Sequence, residues 1–430
     1  MELYSTNNKY LKVTLEQAVM RSLAPDKGLY MPDSIPELNP SFIQHLDRFS
    51  FQEIAFEVCK SLMKGAIPLA NIREIIDDSI NFPAPVVMLD DNIGSLELWH
   101  GPSMAFKDFG ACFMAALMAY FIRNEDKKHT ILVATSGDTG GAVASGFYDK
   151  PGIEVIILYP SGKVSDLQEK QLTTLGKNIT ALEINGTFDD CQALVKEAFN
   201  DQDLNNRFHL SSANSINIAR LIPQSFYYFE AYKQVMHLHK HLVFSVPSGN
   251  FGNLTAGLLA KKMGLPVSRF IAATNSNHIF PDFLNTGIYD PKPAIATISN
   301  AMDVGDPSNF VRIQDMYDRD LSAIQKDVSG FWLNDEETRA AMIDAFSKYN
   351  YVCDPHGAIA YKALRSLSAD ELGIFLETAH PCKFQDVVED TLNHKMELSS
   401  DLLTLMTKTK NAVSMEADFS SFKSYLLSRQ

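Results

Sequence analysis

The chain has 430 residues, of which 46% are hydrophobic and 21% charged, and its formal net charge is −14. This length predicts two or three packed units in a globular protein, and the lack of a basic surplus argues against non-specific nucleic-acid binding. No stretch is apolar for long enough to span a bilayer, and MELYSTNNKYLKVTLEQAVM has no signal-peptide core. The five cysteines contain no C-x-x-C pair, so we expect a reducing, cytoplasmic environment and no metal site.

The N-terminal region, residues 1–82, is predicted to be a mostly helical domain. Its segments LEQAVMRSLA and FQEIAFEVCKSLMKGA place apolar residues at helical spacing. Between them, APDKGLYMPDSIPELNP is rich in Pro, Gly and Asp and is expected to be a loop. A boundary near Phe82 is predicted because FPAPVVMLDDNIGSLELWHGPS has the pattern of short strands broken by a turn.

Beyond this boundary, apolar strand patterns alternate with amphipathic helix patterns. The strand candidates are HTILVAT, GIEVIILYP, NITALEI, FHLSS, HLVFSV, RFIAATN and ELGIFLETAH. Such alternation predicts an α/β protein whose parallel sheets carry helices on both faces. The last strand candidate is expected to precede a short final helix.

Lys107 stands at the start of a segment, KDFGACFMAALMAYF, that is apolar on nearly every face. A helix of this kind should be buried, and a buried lysine is costly unless the molecule uses it. Desolvation lowers the pKa of a lysine and makes its amine a nucleophile that can form a Schiff base. On this segment alone, an ion pair with Asp108 or an ammonium reaching out to solvent explains Lys107 better.

Two segments combine a strand, a loop of small residues and a helix. In VATSGDTGGAVASG, Ser136 and Thr139 add hydroxyls and Asp138 adds an acceptor, although a tight capped turn explains the pattern equally well. In VFSVPSGNFGNLTAGLLAKKMG, backbone N–H groups are predicted to surround a phosphate, with a well-capped turn as the alternative. The residues of this predicted phosphate cup are Ser248, Gly249, Asn250, Phe251, Gly252 and Asn253.

Three further positions carry weaker signals. Thr378 follows a strand at the edge where open α/β sheets bind ligands, although it is also explained as a helix cap. Arg220 lies among apolar and aromatic residues and needs an anionic partner, which a structural salt bridge would also supply. His356 either caps a helix or faces the site. The histidines of HLHKH, residues 237–241, have no metal-ligand spacing and are expected in a solvated linker.

Taken in order, GPSMAFKD, ATSGDTGGA, SGNFGN and ETAHPCKF resemble the threonine synthase family of fold-type-II pyridoxal phosphate enzymes. The segments APDKGLYMPDSIP, ANSINIAR and NAMDVGDPSNF extend the resemblance to nearly the whole chain. It implies a large cofactor-binding α/β domain of residues 83–127 and 240–430, with a smaller α/β domain of residues 128–239 closing over the site. The family pattern often has Gly at Lys27 and Ala at Cys382, whereas Asp138 matches the threonine synthase branch.

The resemblance also assigns roles. It implies that Lys107 carries pyridoxal 5′-phosphate and moves protons, that residues 248–253 hold the cofactor phosphate, and that Thr378 faces the pyridine nitrogen. The loop of Ser136, Asp138 and Thr139 is implied to lie near the cofactor and the substrate carboxylate. The implied ligands of the substrate phosphate are Asn214, Ser215 and Arg220.

The activity implied is a lyase reaction that converts O-phospho-L-homoserine and water to L-threonine and phosphate, by γ-elimination followed by β-addition of water. The alternatives are a related phospho-lyase that only eliminates, a serine or threonine dehydratase, and a non-catalytic metabolite sensor. A nicotinamide-dependent dehydrogenase is excluded because no G-x-G-x-x-G follows a strand. We expect a small-molecule substrate, no nucleic-acid or membrane partner, and a monomer or homodimer.

Overall fold

The computed structural model describes residues 1–429. Its strands are β1 (Glu2–Ser5), β2 (Asn8–Thr14), β3 (Tyr30–Pro32), β4 (Val86–Met88), β5 (Ile93–Glu97), β6 (His129–Ala134), β7 (Ile153–Pro160), β8 (Ile179–Asn185), β9 (His209–Ser212), β10 (His241–Pro247), β11 (Arg269–Thr274), β12 (Val328–Trp332), β13 (Glu371–Glu377) and β14 (Val413–Glu416).

The helices of the first half of the chain are α1 (Leu15–Arg21), α2 (Pro40–Gln44), α3 (Phe51–Leu62), α4 (Leu69–Ser79), α5 (Lys107–Ile122), α6 (Asp138–Gly146), α7 (Asp166–Thr173), α8 (Phe188–Asn200) and α9 (Gln202–Arg207). Those that follow are α10 (Ile218–Leu221), α11 (Phe226–Val235), α12 (Gly252–Lys262), α13 (Ile279–Thr286), α14 (Phe310–Met316), α15 (Leu321–Asp327), α16 (Asp335–Tyr349), α17 (Pro355–Ala363), α18 (Gln385–Leu392), α19 (Ser400–Thr407) and α20 (Phe419–Ser428). None of the helices within residues 1–429 combines the length and apolarity that crossing a bilayer requires.

The N-terminal region contains a three-stranded antiparallel sheet, in the order β2-β1-β3, beside helices α1 to α4. The prediction of a mostly helical region was therefore wrong for the first strands. Residues of β2 are largely exposed, so the strand lacks the alternation that identifies a half-buried strand in a sequence. Lys27 in the predicted loop has φ 65°, a left-handed conformation that favours glycine.

Two larger sheets confirm the predicted α/β fold. The six-stranded sheet has the order β12-β11-β10-β13-β5-β4 and is parallel except for the β4–β5 pair. The five-stranded sheet has the order β14-β8-β7-β6-β9 and is parallel throughout. Near-continuous apolar runs form their central strands, as expected where helices cover both faces.

The C-terminal segment departs from the prediction. Strand β14 pairs with β8, and the following helix α20 packs Phe422 and Leu426 against the five-stranded sheet. Residues 413–428 thus belong with the five-stranded sheet, although the predicted boundaries placed all of 240–430 in the large domain, which contains the six-stranded sheet. The other predicted domain boundaries stay predictions. A short strand that pairs with a partner more than 200 residues away leaves no local signature.

Candidate active site

A cavity of about 310 Å³ lies where the carboxyl ends of β6, β10 and β13 face one another. This is the edge at which open α/β sheets bind ligands. All the predicted site residues line it except Ser136, Asp138 and Ser248. The residues that line it as predicted are Lys107, Thr139, Asn214, Ser215, Arg220, Gly249, Asn250, Phe251, Gly252, Asn253 and Thr378.

Lys107 is the first residue of α5, and its side chain faces the cavity. The rest of α5 is buried on nearly every face, as the sequence predicted. Burial lowers the pKa of Lys107 below its ordinary value, and the positive charges of Arg220 and Lys383 lower it further, whereas Asp138 opposes them. A lysine with a lowered pKa has more neutral amine, which is the nucleophilic and basic form.

The proposed ion pair of Lys107 with its neighbour Asp108 is absent among residues 1–429. Instead, the buried Asp108 carboxylate accepts a hydrogen bond from the Ser103 backbone N–H at 2.9 Å. Burial raises the pKa of Asp108 to about 6, although the bonds from Ser103 oppose that shift. Asp108 therefore holds the loop before α5 in place and leaves the Lys107 amine free of a partner on its own helix.

The predicted phosphate cup connects β10 to α12. Phe251 adopts a left-handed φ of 60°, and no side chain caps the helix, so N–H groups of the first turn stay available to an anion. A Cβ on Gly249 would lie 2.9 Å from the Ala301 carbonyl oxygen, so only glycine fits there without a shift. Ser248 faces away, because its hydroxyl donates to the Val246 carbonyl at 2.8 Å.

Asn253 supplies the cup with a buried donor that has no partner. Its Oδ1 accepts hydrogen bonds from the hydroxyls of Tyr227 and Tyr228, each at 2.7 Å. This fixes the amide so that Nδ2 remains buried without a hydrogen-bond partner. An unsatisfied buried N–H is costly, and an anion in the cup would satisfy it.

Arg220, on α10, is a second source of positive charge in the cavity. It is buried, and its guanidinium donates to the carbonyls of Ala213 at 2.9 Å and Lys107 at 3.4 Å, while Nε has no partner. Burial lowers its pKa to about 10, so the group is still charged at neutral pH. Within residues 1–429 no carboxylate forms a salt bridge with Arg220, so the alternative prediction of a structural salt bridge at this position is wrong. The guanidinium is thus available to an anion that enters the cavity.

Asp138 does not line the cavity and forms a salt bridge with Lys383. Its Oδ1 is 3.0 Å from Lys383 Nζ and accepts a bond from Gln168 Nε2 at 3.0 Å. Burial alone would raise the pKa of Asp138, but attraction to Lys383 and Lys107 outweighs it and the pKa lies well below its ordinary value. Ser136 in the same loop is exposed. The predicted role of this loop stays a prediction.

Lys383 lies in the ETAHPCKF motif, although its sequence context predicts no role for it. Its buried ammonium also donates to the Ser103 carbonyl and to Gln171 Oε1, each at 2.8 Å. It therefore joins the loop before α5, helix α7 and the segment after β13. The signal that could have identified Lys383 is a basic residue shortly after the end of the apolar strand β13.

Thr378 follows β13 and is largely buried, and its carbonyl accepts a hydrogen bond from the Phe106 N–H at 2.8 Å. This bond ties the strand end to the residue before Lys107. His356 also lines the cavity, and its Nε2 accepts a hydrogen bond from the Ala301 N–H at 3.2 Å. The cap of α17 is Asp354 rather than His356, and the Asp354 carboxylate is 2.5 Å from His356 Nδ1.

Arg312 is a second buried arginine that sequence reasoning missed. It donates to the carbonyls of Tyr30 at 3.0 Å and Ile216 at 2.7 Å, and to Asn309 Oδ1 at 2.7 Å. Asn309 in turn donates to the Asn250 carbonyl at 3.0 Å. Arg312 therefore supports both the cup and the segment that contains Asn214 and Ser215. No local pattern predicts this, because Tyr30 and Ile216 lie far away in the sequence.

These residues fit pyridoxal phosphate. A lysine amine with a lowered pKa suits the aldehyde, uncapped N–H groups and the Asn253 amide suit the phosphate, and Thr378 is a neutral residue in the cavity lining. Arg220 remains as an additional cation. The site therefore has the donors for a cofactor phosphate and for a second anion.

Comparison with known proteins agrees with this geometry. Residues 96–374 match the family described as pyridoxal-phosphate dependent enzyme. Residues 2–80 match the threonine synthase N terminus, and residues 357–426 match the threonine synthase C-terminal family. The fold and the site thus define a pyridoxal-phosphate-dependent lyase of fold type II.

The chain is 46% identical over 432 residues to threonine synthase of Haemophilus influenzae, with 99% of this chain and 100% of that one covered. The crystal structure of threonine synthase from Escherichia coli is similar with a TM-score of 0.92 at 43% identity, covering 100% of both chains. A structure of PLP-bound threonine synthase from Brucella melitensis gives a TM-score of 0.95 at 35% identity, covering 99% of this chain and 98% of that one. The chain belongs to the threonine synthase family.

Proposed function

We propose that this chain converts O-phospho-L-homoserine and water to L-threonine and phosphate. The observation that carries the proposal is the buried Arg220 guanidinium, which lines the cavity without a carboxylate partner in the described chain. A dehydratase acting on serine or threonine has no substrate phosphate and no need of a second anion site. A substrate that carries its own phosphate requires one.

The positions of the side chains around the cavity support the roles that we propose. The Lys107 amine would hold the cofactor in the resting enzyme, with residues 249–253 around its phosphate and Thr378 at its ring. When bound, pyridoxal phosphate supplies an electron sink for carbanion chemistry. Arg220, Asn214 and Ser215 bind the substrate phosphate, which is both a handle and the leaving group.

Lys107 also moves protons in this proposal. Its neutral amine, favoured by a lowered pKa, takes the proton from the substrate Cα and returns a proton as the reaction proceeds. Ser136, Asp138 and Thr139 lie on the loop that we propose faces the substrate α-carboxylate, although only Thr139 lines the cavity. Phe188 and Gln192 of α8 complete the wall of the cavity. Together with the five-stranded sheet behind them, they exclude water until the addition step.

A product assay tests the proposal. Holoenzyme given O-phospho-L-homoserine should release inorganic phosphate and L-threonine in equal amounts. Phosphate accompanied by 2-oxobutyrate and no threonine would support the elimination-only lyase instead. Turnover of serine or threonine but not of the phosphorylated substrate would support a dehydratase, and no turnover of any of them would support the sensor.

Location and assembly are inferred separately. All five cysteines are free, which supports a reducing compartment such as the cytoplasm. We infer a monomer or homodimer that binds a small-molecule substrate and has no nucleic-acid or membrane partner. Light scattering after size-exclusion chromatography gives the molar mass that decides between them.

A further inference from the structure

Three potential metal ligands lie close together in the five-stranded sheet, at the end that is farther from the cavity. His129 is the first residue of β6 and His209 the first of β9, and the two are direct partners in the parallel register. Glu125 lies in the turn between α5 and β6, where its N–H donates to the Ile122 carbonyl at 2.8 Å. The length of β6 separates this cluster from the cavity by about 17 Å. The sheet fixes the spacing of the two imidazoles independently of the active site.

The ligand atoms of this cluster have the separations of a coordination shell. His129 Nε2 lies 2.7 Å from Glu125 Oε2 and 3.4 Å from His209 Nδ1, and His209 Nδ1 lies 3.8 Å from Glu125 Oε2. Metal–ligand bonds of about 2.0–2.1 Å in a tetrahedral site place ligand atoms about 3.3 Å apart. The three measured separations bracket that value, so small side-chain adjustments bring all three atoms to one ion.

Hydrogen bonding alone satisfies this arrangement poorly. His129 Nε2 carries either one proton or one lone pair, yet it faces both the Glu125 carboxylate and the His209 nitrogen. A cation accepts electron pairs from all three groups at once. The side chain of His129 is 8% exposed, whereas those of His209 and Glu125 are 43% and 39% exposed. The cluster is therefore anchored on one side and open to solvent on the other.

We propose that Glu125, His129 and His209 bind one divalent transition-metal ion, for which Zn²⁺ is the best match. Two neutral imidazoles and one carboxylate are ligands that Zn²⁺ favours, and solvent supplies the fourth position. The ion ties the turn after α5 to the first residues of two neighbouring strands. Its role is structural, because the site lies at the opposite end of the sheet from Lys107.

The experiment uses holoenzyme that has been treated with a chelator and dialysed, then titrated with ZnCl₂ in a calorimeter. We expect one equivalent of Zn²⁺ per chain and a higher melting temperature in its presence. His209→Gln and Glu125→Gln, both at exposed positions, should each weaken binding by at least about tenfold and remove the thermal shift. Turnover of the metal-free wild type and of both variants should match.

The matched control is the double variant His237→Gln/His239→Gln, which removes two surface histidines from the segment before β10. It should bind Zn²⁺ as the wild type does. The proposal is overturned if the wild type shows no saturable binding, if the two cluster variants bind as tightly as the wild type, or if the control loses the site. In the first case the cluster is a hydrogen-bonded group only.

Discussion

The cavity contains two regions suited to anions, and they are built differently. The cup at residues 249–253 offers neutral donors, namely backbone N–H groups and the Asn253 amide, at the start of α12. The other region offers the full charge of Arg220, which hydrogen bonds to carbonyls hold in a buried position. The cup depends mainly on backbone geometry with one neutral side-chain donor, whereas the other region depends on a single charged side chain.

This difference suits a resident ligand and a transient one. The donors of the cup are already fixed by the backbone, so binding orders no further residue. They are also neutral, so no ion pair has to be broken when an anion binds. A buried guanidinium without an anion is costly, as the lowering of its pKa to about 10 indicates, so it gains most when a charged substrate arrives. We therefore expect variants in the two regions to separate cofactor binding from substrate binding.

The largest expected effect comes from Lys107→Ala. Turnover should fall by about 10⁴-fold or more, because one amine serves as anchor, base and acid. The cup is intact, so the variant should still retain pyridoxal phosphate non-covalently in equilibrium dialysis. In the wild type, borohydride should fix the cofactor to the peptide that contains Lys107, as mass spectrometry of a digest would show.

Lys196→Ala, on the exposed face of α8, is the matched control and should keep both turnover and the covalent link. Substantial turnover by Lys107→Ala, or covalent label on another lysine of the wild type, would contradict the assignment. Complete loss of cofactor binding would instead show that the cup is insufficient by itself.

Arg220→Gln should have the next largest effect. Loss of a buried charged donor to the substrate phosphate costs about 3–4 kcal/mol, which lowers kcat/KM for O-phospho-L-homoserine by about 10²–10³-fold. Cofactor affinity should change little, because Asn253 and the backbone donors remain. Arg365→Gln, which removes an exposed arginine paired with Asp344, is the control. Equal losses of cofactor and substrate affinity would show that the two regions act as one.

Gly249→Ala should have the reverse effect of Arg220→Gln, because it changes the cup that holds the cofactor and leaves the substrate-phosphate region intact. The new Cβ would lie 2.9 Å from both the Ala301 carbonyl oxygen and the Met302 Cα, so the cup must shift to accept it. We expect cofactor affinity to fall by about tenfold, a cost of about 1–2 kcal/mol that is typical of overpacking. With saturating cofactor, the KM for substrate should stay near the wild-type value. A change in KM without a change in cofactor affinity would reverse our assignment of the two regions.

Much of this arrangement could be predicted because its signals are local. Each βα loop carries its own pattern of small residues, and parallel strands bring the ends of those loops to one edge. That Lys107, residues 249–253 and Thr378 line one cavity could therefore be predicted without a structure, whereas the roles assigned to them came from the order of their motifs along the chain, which indicated the family. The apolar character of α5 predicted its burial for the same reason.

The remainder depends on contacts that no local pattern encodes. Arg312 reaches Tyr30, 282 positions away, and Lys383 reaches Ser103, 280 positions away. Both are buried cations whose partners are mostly neutral oxygens, so charge pairing in the sequence gives no hint of them. Strand β14 was missed because three of its four residues are exposed and its pairing partner β8 lies in a different part of the chain. The metal-ligand cluster likewise joins positions 125, 129 and 209 only through strand register.

The smallest expected effect is a shift in pH dependence, through which Arg220 acts on Lys107. The pKa of Lys107 is lowered from its ordinary value by burial and by the positive charges of Arg220 and Lys383. The amine must be neutral to act as a base, so kcat falls as the pH drops through this pKa. In Arg220→Gln one lowering charge is gone, the pKa of Lys107 rises, and the acidic limb of the kcat–pH profile should move to higher pH. Arg365→Gln should leave that limb in place, and a shift of the Arg220→Gln limb toward lower pH would mean that another group limits the reaction.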